Sequence, residues 1–174
     1  MSDQASYIGK KYEEILKKFG DTHEGVYWPN YKDTLVRHQV MIEVLQKHLD
    51  EGKQISILDF GCGAGHFLEF LLGQKLPLSG SHEDKNLLNL GSKFKNISYA
   101  GLDIHKESID LCKKKFPNHT FYLASVTDSE FQIPEFDYVV MNGVFTVKWD
   151  LKKNEMFNHV KATLLKVFKS CKYG

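Results

Sequence analysis

The sequence is poor in several residue types whose abundance would indicate a particular class of protein. Arg37 is the only arginine among 23 basic residues, whereas surfaces that read phosphates favour arginine for its planar fork of donors. The three cysteines, Cys62, Cys112 and Cys171, are odd in number and contain no CxxC pair, which favours a reducing, cytoplasmic compartment. The net charge of +1 makes nucleic acid an unlikely partner.

The sequence also lacks the features of membrane and metal proteins. No segment approaches about 18 consecutive apolar residues, the length that a membrane helix needs. The first residues, MSDQASYIGK, lack the apolar core of a signal peptide. The histidines show no metal-ligand spacing, so no metal is expected. With 174 residues of which 42% are hydrophobic, a soluble globular protein is predicted.

Residue periodicity predicts helices that alternate with strands. Two amphipathic helices are expected at 7–19 and 33–49. The apolar side of the second comprises Val36, Val40, Met41, Val44, Leu45 and Leu49. Predicted strands follow at 55–60, 97–103, 119–125 and 136–142, and predicted helices at 65–73, 106–116 and 151–170. The alternation predicts an α/β, Rossmann-like three-layer sandwich with a mostly parallel sheet.

The domain organisation follows from the same reading. Residues 1–52 are expected to form N-terminal helices and a lid loop, and residues 53–174 a Rossmann-like domain. The polar stretch 74–96 is longer than the usual connection between a helix and a strand, so it is expected to be an insertion into that domain.

The most informative segment is ILDFGCGAGHFLEFL, in which a strand, an acid, a glycine loop and a helix follow one another. The loop glycines Gly61, Gly63 and Gly65 allow a sharp turn and a close approach to a ligand. Their GxGxG spacing differs from the GxGxxG of nicotinamide-binding folds, which favours a ligand without a pyrophosphate. Cys62 lies within this loop and is a cofactor-binding candidate as part of it, with its side chain expected to be a small filler rather than a nucleophile.

Two carboxylates flank this loop at the ends of predicted strands. Asp59 can pair with an ammonium group, while the first turn of the next helix can hold a carboxylate. Asp103 can accept both hydroxyls of a ribose, or serve as the N-cap of helix 106–116. Ile104 can cover one face of a base. These groups describe a ligand with an amino-acid end, a ribose and a base.

These motifs carry a resemblance to a known family. ILDFGCGAG and YAGLDIHKESIDLCKKKFP resemble the first motif and the second-strand acidic motif of class I S-adenosylmethionine-dependent methyltransferases. The resemblance covers roughly residues 55–148. FGDTHEGVYW, RHQVMIEVL and FDYVVMNGVFTVK are also similar to a small bacterial subgroup of these enzymes. S-adenosylmethionine is the cofactor that the resemblance implies.

Further site residues are expected around this core. Where the family often has Gly-Asp after the third strand, the chain has Ala124-Ser125, so Ser125 or the backbone of Val126 is the expected adenine contact. Asn142 and Gly143 follow the fourth strand, where ligands bind in such sheets. Tyr27 and Trp28 are expected to form either a lid or a surface-packed aromatic loop. Arg37 is expected either to bind the cofactor's carboxylate or to pair with Asp33. His66 is a candidate near the methionine end, and His23 is a weak candidate for the catalytic base.

The resemblance implies a seven-stranded sheet in the order 3-2-1-4-5-7-6, whereas the sequence supplies about four strands. The fifth to seventh strands are missing, and the chain ends at Lys172-Tyr173-Gly174, where the fifth should begin. The fourth strand is therefore expected to be an exposed edge, which predicts self-association or a partner chain that completes the sheet.

The resulting functional hypothesis is methyl transfer from S-adenosylmethionine to an unidentified, small-molecule acceptor. The motif after the fourth strand is not the Pro-Pro-aromatic motif of enzymes that methylate nucleobase amines, and a Pro-Cys motif is absent. Two alternatives stay open. One is a truncated binding protein without independent turnover, and the other is an enzyme that cleaves S-adenosylmethionine.

Overall fold

The computed structural model describes residues 3–73, 94–126, 128–147 and 150–173. The N-terminal part is helical, with α1 (Asp3–Phe19), a 3-10 turn (Glu24–Val26), α2 (Tyr31–Glu43) and α3 (Gln46–Asp50). The remaining elements are β1 (Ile55–Phe60), α4 (His66–Leu71), β2 (Ile97–Asp103), α5 (Lys106–Lys115), β3 (Thr120–Leu123), β4 (Tyr138–Met141) and α6 (Lys153–Phe168). The predicted insertion lies outside the described residues as far as residue 93.

The described strands form one parallel sheet in the order β3-β2-β1-β4. The register places Leu58 of β1 opposite Ala100 of β2 and Val139 of β4. Because all strands run the same way, β1, β2 and β4 end along one edge of the sheet, where ligands bind in open α/β folds. The predicted Rossmann-like architecture with a mostly parallel sheet is confirmed.

The two faces of the sheet bury separate apolar clusters. Ile55 and Ile57 of β1 face a cluster that includes residues of α2, α4 and α5. Leu58 and Phe60 face the opposite cluster, which includes Val167 of α6. Each β1 residue alternates between faces because successive side chains of a strand point in opposite directions. The sheet is therefore the middle layer of three, as the sequence predicted.

The valines of the predicted helix 33–49 are not its buried side. Val36, Val40 and Val44, predicted on its apolar side, are 62%, 53% and 60% exposed. Leu45 is buried as predicted, and Met41 and Leu49 pack against the same core. The buried residues of α2 itself are Thr34, His38 and Ile42. The prediction is therefore wrong for the three valines, because polar Thr34 and His38 face inward and line a cavity. The expected single helix is also interrupted, since α2 ends at Glu43 and α3 begins at Gln46.

The C-terminal residues lie beside the start of β4. Phe136 and Cys171 form a parallel β-bridge, in which the Phe136 N–H donates to the Ser170 carbonyl and the Lys172 N–H donates to the Phe136 carbonyl, both at 2.9 Å. Within the described ranges, the rest of the outer edge of β4 is not paired with a strand. No described helix is long and apolar enough to cross a membrane.

Candidate cofactor and substrate site

A cavity lies at the edge of the sheet where β1, β2 and β4 end. Most of the residues that the sequence singles out line this cavity, namely Tyr27, Trp28, Asp59, Gly61, Cys62, Gly63, His66, Asp103, Ile104, Ser125, Val126, Asn142 and Gly143. They come from segments that are far apart in the sequence. The parallel sheet brings them together because it places the ends of its strands side by side.

The glycine loop turns back over the end of β2. The N–H groups of Gly61 and Cys62 both donate to the Leu102 carbonyl, at 2.7 and 3.1 Å. Gly61 and Gly63 have φ angles of 80° and 51°, in the left-handed region that favours glycine. A Cβ atom at Gly61 would lie 2.7 Å from Val144 Cγ2. Both conformation and space therefore require glycine at position 61.

Asp59 is a buried carboxylate at the end of β1, only 3% exposed. The Tyr99 hydroxyl donates to its Oδ2 at 2.8 Å. Burial and the nearby Asp103 together outweigh this hydrogen bond and raise the pKa of Asp59 to about 7. An ammonium group placed in the cavity would compensate for the burial and favour the ionised carboxylate.

Asp103, at the end of β2, holds the glycine loop in place. Its Oδ2 accepts the Gly63 N–H at 2.9 Å, and its Oδ1 accepts the His105 N–H at 2.8 Å. Burial raises the pKa of Asp103, although these backbone N–H groups oppose the shift. Because each carboxylate oxygen accepts more than one hydrogen bond, Asp103 keeps capacity for ligand hydroxyls.

A lid, residues 25–28, covers the cavity from the N-terminal side. A Cβ atom at Gly63 would lie 3.0 Å from Val26 Cγ1, and one at Gly143 would lie 2.6 Å from the Trp28 ring. Tyr27 has a φ angle of 66°, an uncommon conformation for a residue other than glycine. The lid therefore contacts both the glycine loop and the loop after β4.

An ion-pair network, named here the lid anchor, joins the segment before the lid to the Rossmann-like domain. Lys115 Nζ lies 2.9 Å from Asp21 Oδ2 and 2.6 Å from Glu69 Oε1. His66 Nε2 lies 3.0 Å from Asp21 Oδ1. Burial raises the pKa of Asp21, but hydrogen bonds to His66 and Lys115 outweigh it and keep that pKa below its usual value.

Three of the sequence-predicted residues, Gly65, Arg37 and His23, do not line the cavity. Gly65 faces α5 instead, since a Cβ atom there would lie 2.9 Å from Phe116 Cε2. The Arg37 guanidinium is exposed and lies 4.5 Å from the centre of the Trp28 ring, so it contacts the lid from outside. His23 packs edge-on against Tyr31, with ring centres 5.8 Å apart.

Sequence reasoning missed other lining residues. They include Tyr12, Val26, Thr34, His38, His105, Ser108, Val144, Thr146, Val147, Met156 and His159. Burial, Asp103 and Tyr27 raise the pKa of Tyr12 to about 12, and Tyr12 lines the same cavity as Asp103. Thr34 and His38 are one helical turn apart, a polar pair that indicates a cavity-facing side of α2. Met156 and His159 are similarly spaced on α6.

Fold and site together define a Rossmann-like domain with a cavity lined by its glycine loop and its strand-end acids. The profile of a methyltransferase domain family matches residues 51–172. The chain therefore belongs to this methyltransferase domain family. No curated protein sequence matches it significantly.

Solved structures with the same fold are distant in sequence. DesVI of Streptomyces venezuelae is 19% identical, with 92% of this chain and 52% of DesVI covered and a TM-score of 0.54. The plantazolicin methyltransferase BpumL, solved with a pentazolic desmethylPZN analog and SAH, is 16% identical, with 98% of this chain and 58% of BpumL covered and a TM-score of 0.53. A TehB-like SAM-dependent methyltransferase from Corynebacterium glutamicum is 15% identical, with coverages of 97% and 67% and a TM-score of 0.48. The chain thus spans little more than half the length of DesVI and BpumL.

Proposed function

We propose that the protein binds S-adenosylmethionine and transfers its methyl group to a small-molecule acceptor. One observation carries the proposal: Asp59 and Asp103 end neighbouring strands, flank the glycine loop and line one cavity with it. Membership of the methyltransferase domain family supports the reaction class. The SAH bound to BpumL supports the choice of cofactor, because BpumL shares the fold.

The cavity residues fit the parts of this cofactor. Asp59 would hold the ammonium group, and Asp103 would accept the ribose hydroxyls. Ile104 and Val126 would cover the base, with Ser125 as its polar contact. Gly61, Cys62, Gly63 and Gly65 would let the backbone approach the methionine end, near His66. Asn142 and Gly143 would face the methyl donor, under Tyr27 and Trp28.

Catalysis in this proposal is mainly a matter of position. The cofactor supplies an electrophilic methyl group, and the protein holds the acceptor in line with it while the lid limits access of water. Such orientation can contribute about 7–11 kcal/mol to lowering a barrier. Arg37 would act by supporting Trp28 rather than as a direct carboxylate ligand. His23, which does not line the cavity, stays a weaker prediction for the base.

Product analysis tests the reaction type. The purified 174-residue protein is incubated with S-adenosylmethionine, with and without a panel of small-molecule acceptors, and products are identified by mass spectrometry. Acceptor-dependent formation of S-adenosylhomocysteine supports methyl transfer. Breakdown of the cofactor without an acceptor would instead support a cleaving enzyme. Binding without either product would support the non-catalytic alternative.

Self-association, or pairing with a partner chain through the outer edge of β4, stays a prediction. Cys171 pairs with Phe136, just before β4 begins. Within the described ranges, the outer edge of β4 from Tyr138 to Met141 is not paired with another strand. Nearby, Leu165 and Phe168 of α6 are exposed. Sedimentation velocity should show a dimer or larger species, and a monomer at all concentrations would contradict the prediction.

A further inference from the structure

One side of the cavity is lined by the loop after β4 and by α6. We name this the acceptor half, lined by Asn142, Val144, Thr146, Val147, Met156 and His159. It meets the glycine loop where Val144 lies against Gly61. The opposite half, which contains Asp59, Asp103 and the loop glycines, is named the cofactor half.

His159 enters the acceptor half from the same side of α6 as Met156, three residues earlier. The edge of its ring packs near Phe145, with ring centres 6.3 Å apart. In the described part of the chain, neither ring nitrogen of His159 has a hydrogen-bond partner. The ring is therefore positioned by packing and has its nitrogens available for a ligand.

His159 is the sole titratable side chain that the described residues contribute to the acceptor half. Burial lowers the pKa of His159 below its usual value, and no charged neighbour adds to this shift, so the imidazole is neutral near pH 7. The other titratable residues along the cavity belong to the cofactor half or its N-terminal cover: Tyr12, Tyr27, His38, Asp59, Cys62, His66, Asp103 and His105.

We propose that the acceptor half binds a neutral, largely apolar molecule with a weakly acidic hydroxyl group, such as a phenol. In this proposal, which rests on the proposed function, His159 accepts the proton of that hydroxyl group. Val144, Val147, Met156 and the Trp28 ring provide apolar contacts. Within the described ranges, this half has no Lys or Arg to hold a carboxylate and no Asp or Glu to hold an ammonium group.

The need for a base distinguishes a hydroxyl from an amine. A neutral amine attacks with its free electron pair, whereas a phenol, with a pKa of about 10, is protonated at pH 7 and gains reactivity when a base takes its proton. In the proposed step the acceptor O–H bond breaks and the proton moves to a ring nitrogen of His159. The oxygen forms a bond to the methyl carbon, the carbon–sulfur bond breaks, and its electron pair stays on sulfur.

The test compares phenols of different acidity with wild type and His159→Gln. We expect methylation of 4-methylphenol and 4-nitrophenol, but not of benzylamine or benzoate. His159→Gln should slow methylation of weakly acidic 4-methylphenol by about 10²-fold or more. It should slow methylation of the far more acidic 4-nitrophenol by about tenfold or less, since a substantial fraction of that phenol is already ionised near pH 7. His119→Gln is the matched control. Like His159, His119 is a partly buried histidine whose pKa is lowered by burial. Unlike His159, it lines a different pocket.

A binding measurement provides a readout independent of turnover. The imidazole proton signal of His159, assigned by its loss in His159→Gln, should shift when 4-methylphenol is added to protein saturated with S-adenosylhomocysteine. No shift, an equal rate loss for both phenols, or methylation of benzylamine or benzoate in place of phenols would overturn this inference. Failure to bind S-adenosylmethionine would overturn the proposed function itself, and this inference with it.

Discussion

The two halves of the cavity differ in how their side chains are held. In the cofactor half, Asp59 and Asp103 both accept hydrogen bonds, from Tyr99 and from the backbone of Gly63 and His105. In the acceptor half, His159 is held by packing among the described residues, beside uncharged side chains. A half organised by hydrogen bonds suits a fixed, polar cofactor, and a half lined by uncharged side chains suits an acceptor chosen by shape.

Removing the lid anchor should have the largest effect. Lys115→Met leaves Glu69 and Asp21 without their cation, and breaking a buried ion pair in this way costs about 3–5 kcal/mol. Urea denaturation should show this loss, together with weaker cofactor binding. Lys114→Met is the control, since Lys114 is exposed and should change stability little. Equal stability of the two variants would contradict a structural role for the anchor.

Gly61→Ala should disturb the point where the two halves meet. The new methyl group would clash with Val144, and the left-handed backbone at this position strains any residue other than glycine. Together these effects should lower the free energy of unfolding by roughly 2–4 kcal/mol. Gly52→Ala separates these causes, because Gly52 has a similar φ of 67° but open space around its Cβ position. Thermal unfolding should show a smaller loss for Gly52→Ala, and calorimetry should show reduced cofactor affinity only for Gly61→Ala. Similar losses in both would remove the argument from close packing.

Asp103→Asn tests the proposed ribose ligand. It removes a charge-assisted acceptor worth about 1.5–3 kcal/mol, so cofactor affinity should fall by roughly 10- to 100-fold. Asp110→Asn is the control, because Asp110 pairs with Lys106 on an exposed face of α5. Because Asp103 also holds Gly63, unfolding is measured in parallel. An unchanged affinity in folded Asp103→Asn would exclude the residue as a ligand.

Cofactor affinity should fall on acidification because of Asp59. Its pKa of about 7 in the free protein means that, below pH 7, binding an ammonium group must first displace a proton. The ionised carboxylate is the binding form, so affinity should drop roughly fivefold between pH 7 and pH 6. Calorimetry across this range checks the slope. The Asp59→Asn variant should bind the cofactor more weakly and lose most of the pH dependence of affinity. A similar slope in that variant would mean that another group causes the pH dependence.

Changes in the acceptor half should affect the cofactor least. Met156→Ala removes an apolar wall of that half, so cofactor affinity should stay within about threefold of wild type. Methylation of 4-methylphenol should decline through a higher KM. A large loss of cofactor affinity would show that the two halves are not separate.

The same contrast explains what the sequence could predict. The positions of the glycine loop and Asp103 could be predicted from the sequence, because the loop directly follows one strand along the chain and Asp103 ends the next. Parallel strands then place these residues at one edge of the sheet. The pocket side of α2 was not predictable in this way, since Val36 and Val40 have the spacing of a buried stripe while His38 is the buried residue. Tyr12 and His159 enter the cavity from the helices at the two ends of the chain, so only tertiary packing identifies them.

Isothermal titration calorimetry of the 174-residue protein at pH 8 decides whether the cofactor half binds S-adenosylmethionine. At this pH Asp59 is mostly ionised, because its pKa is about 7. We expect saturable binding with one cofactor per chain, weakened in Asp103→Asn and retained in Asp110→Asn. The absence of binding at millimolar cofactor by folded protein, or equal affinities in all three proteins, would contradict it.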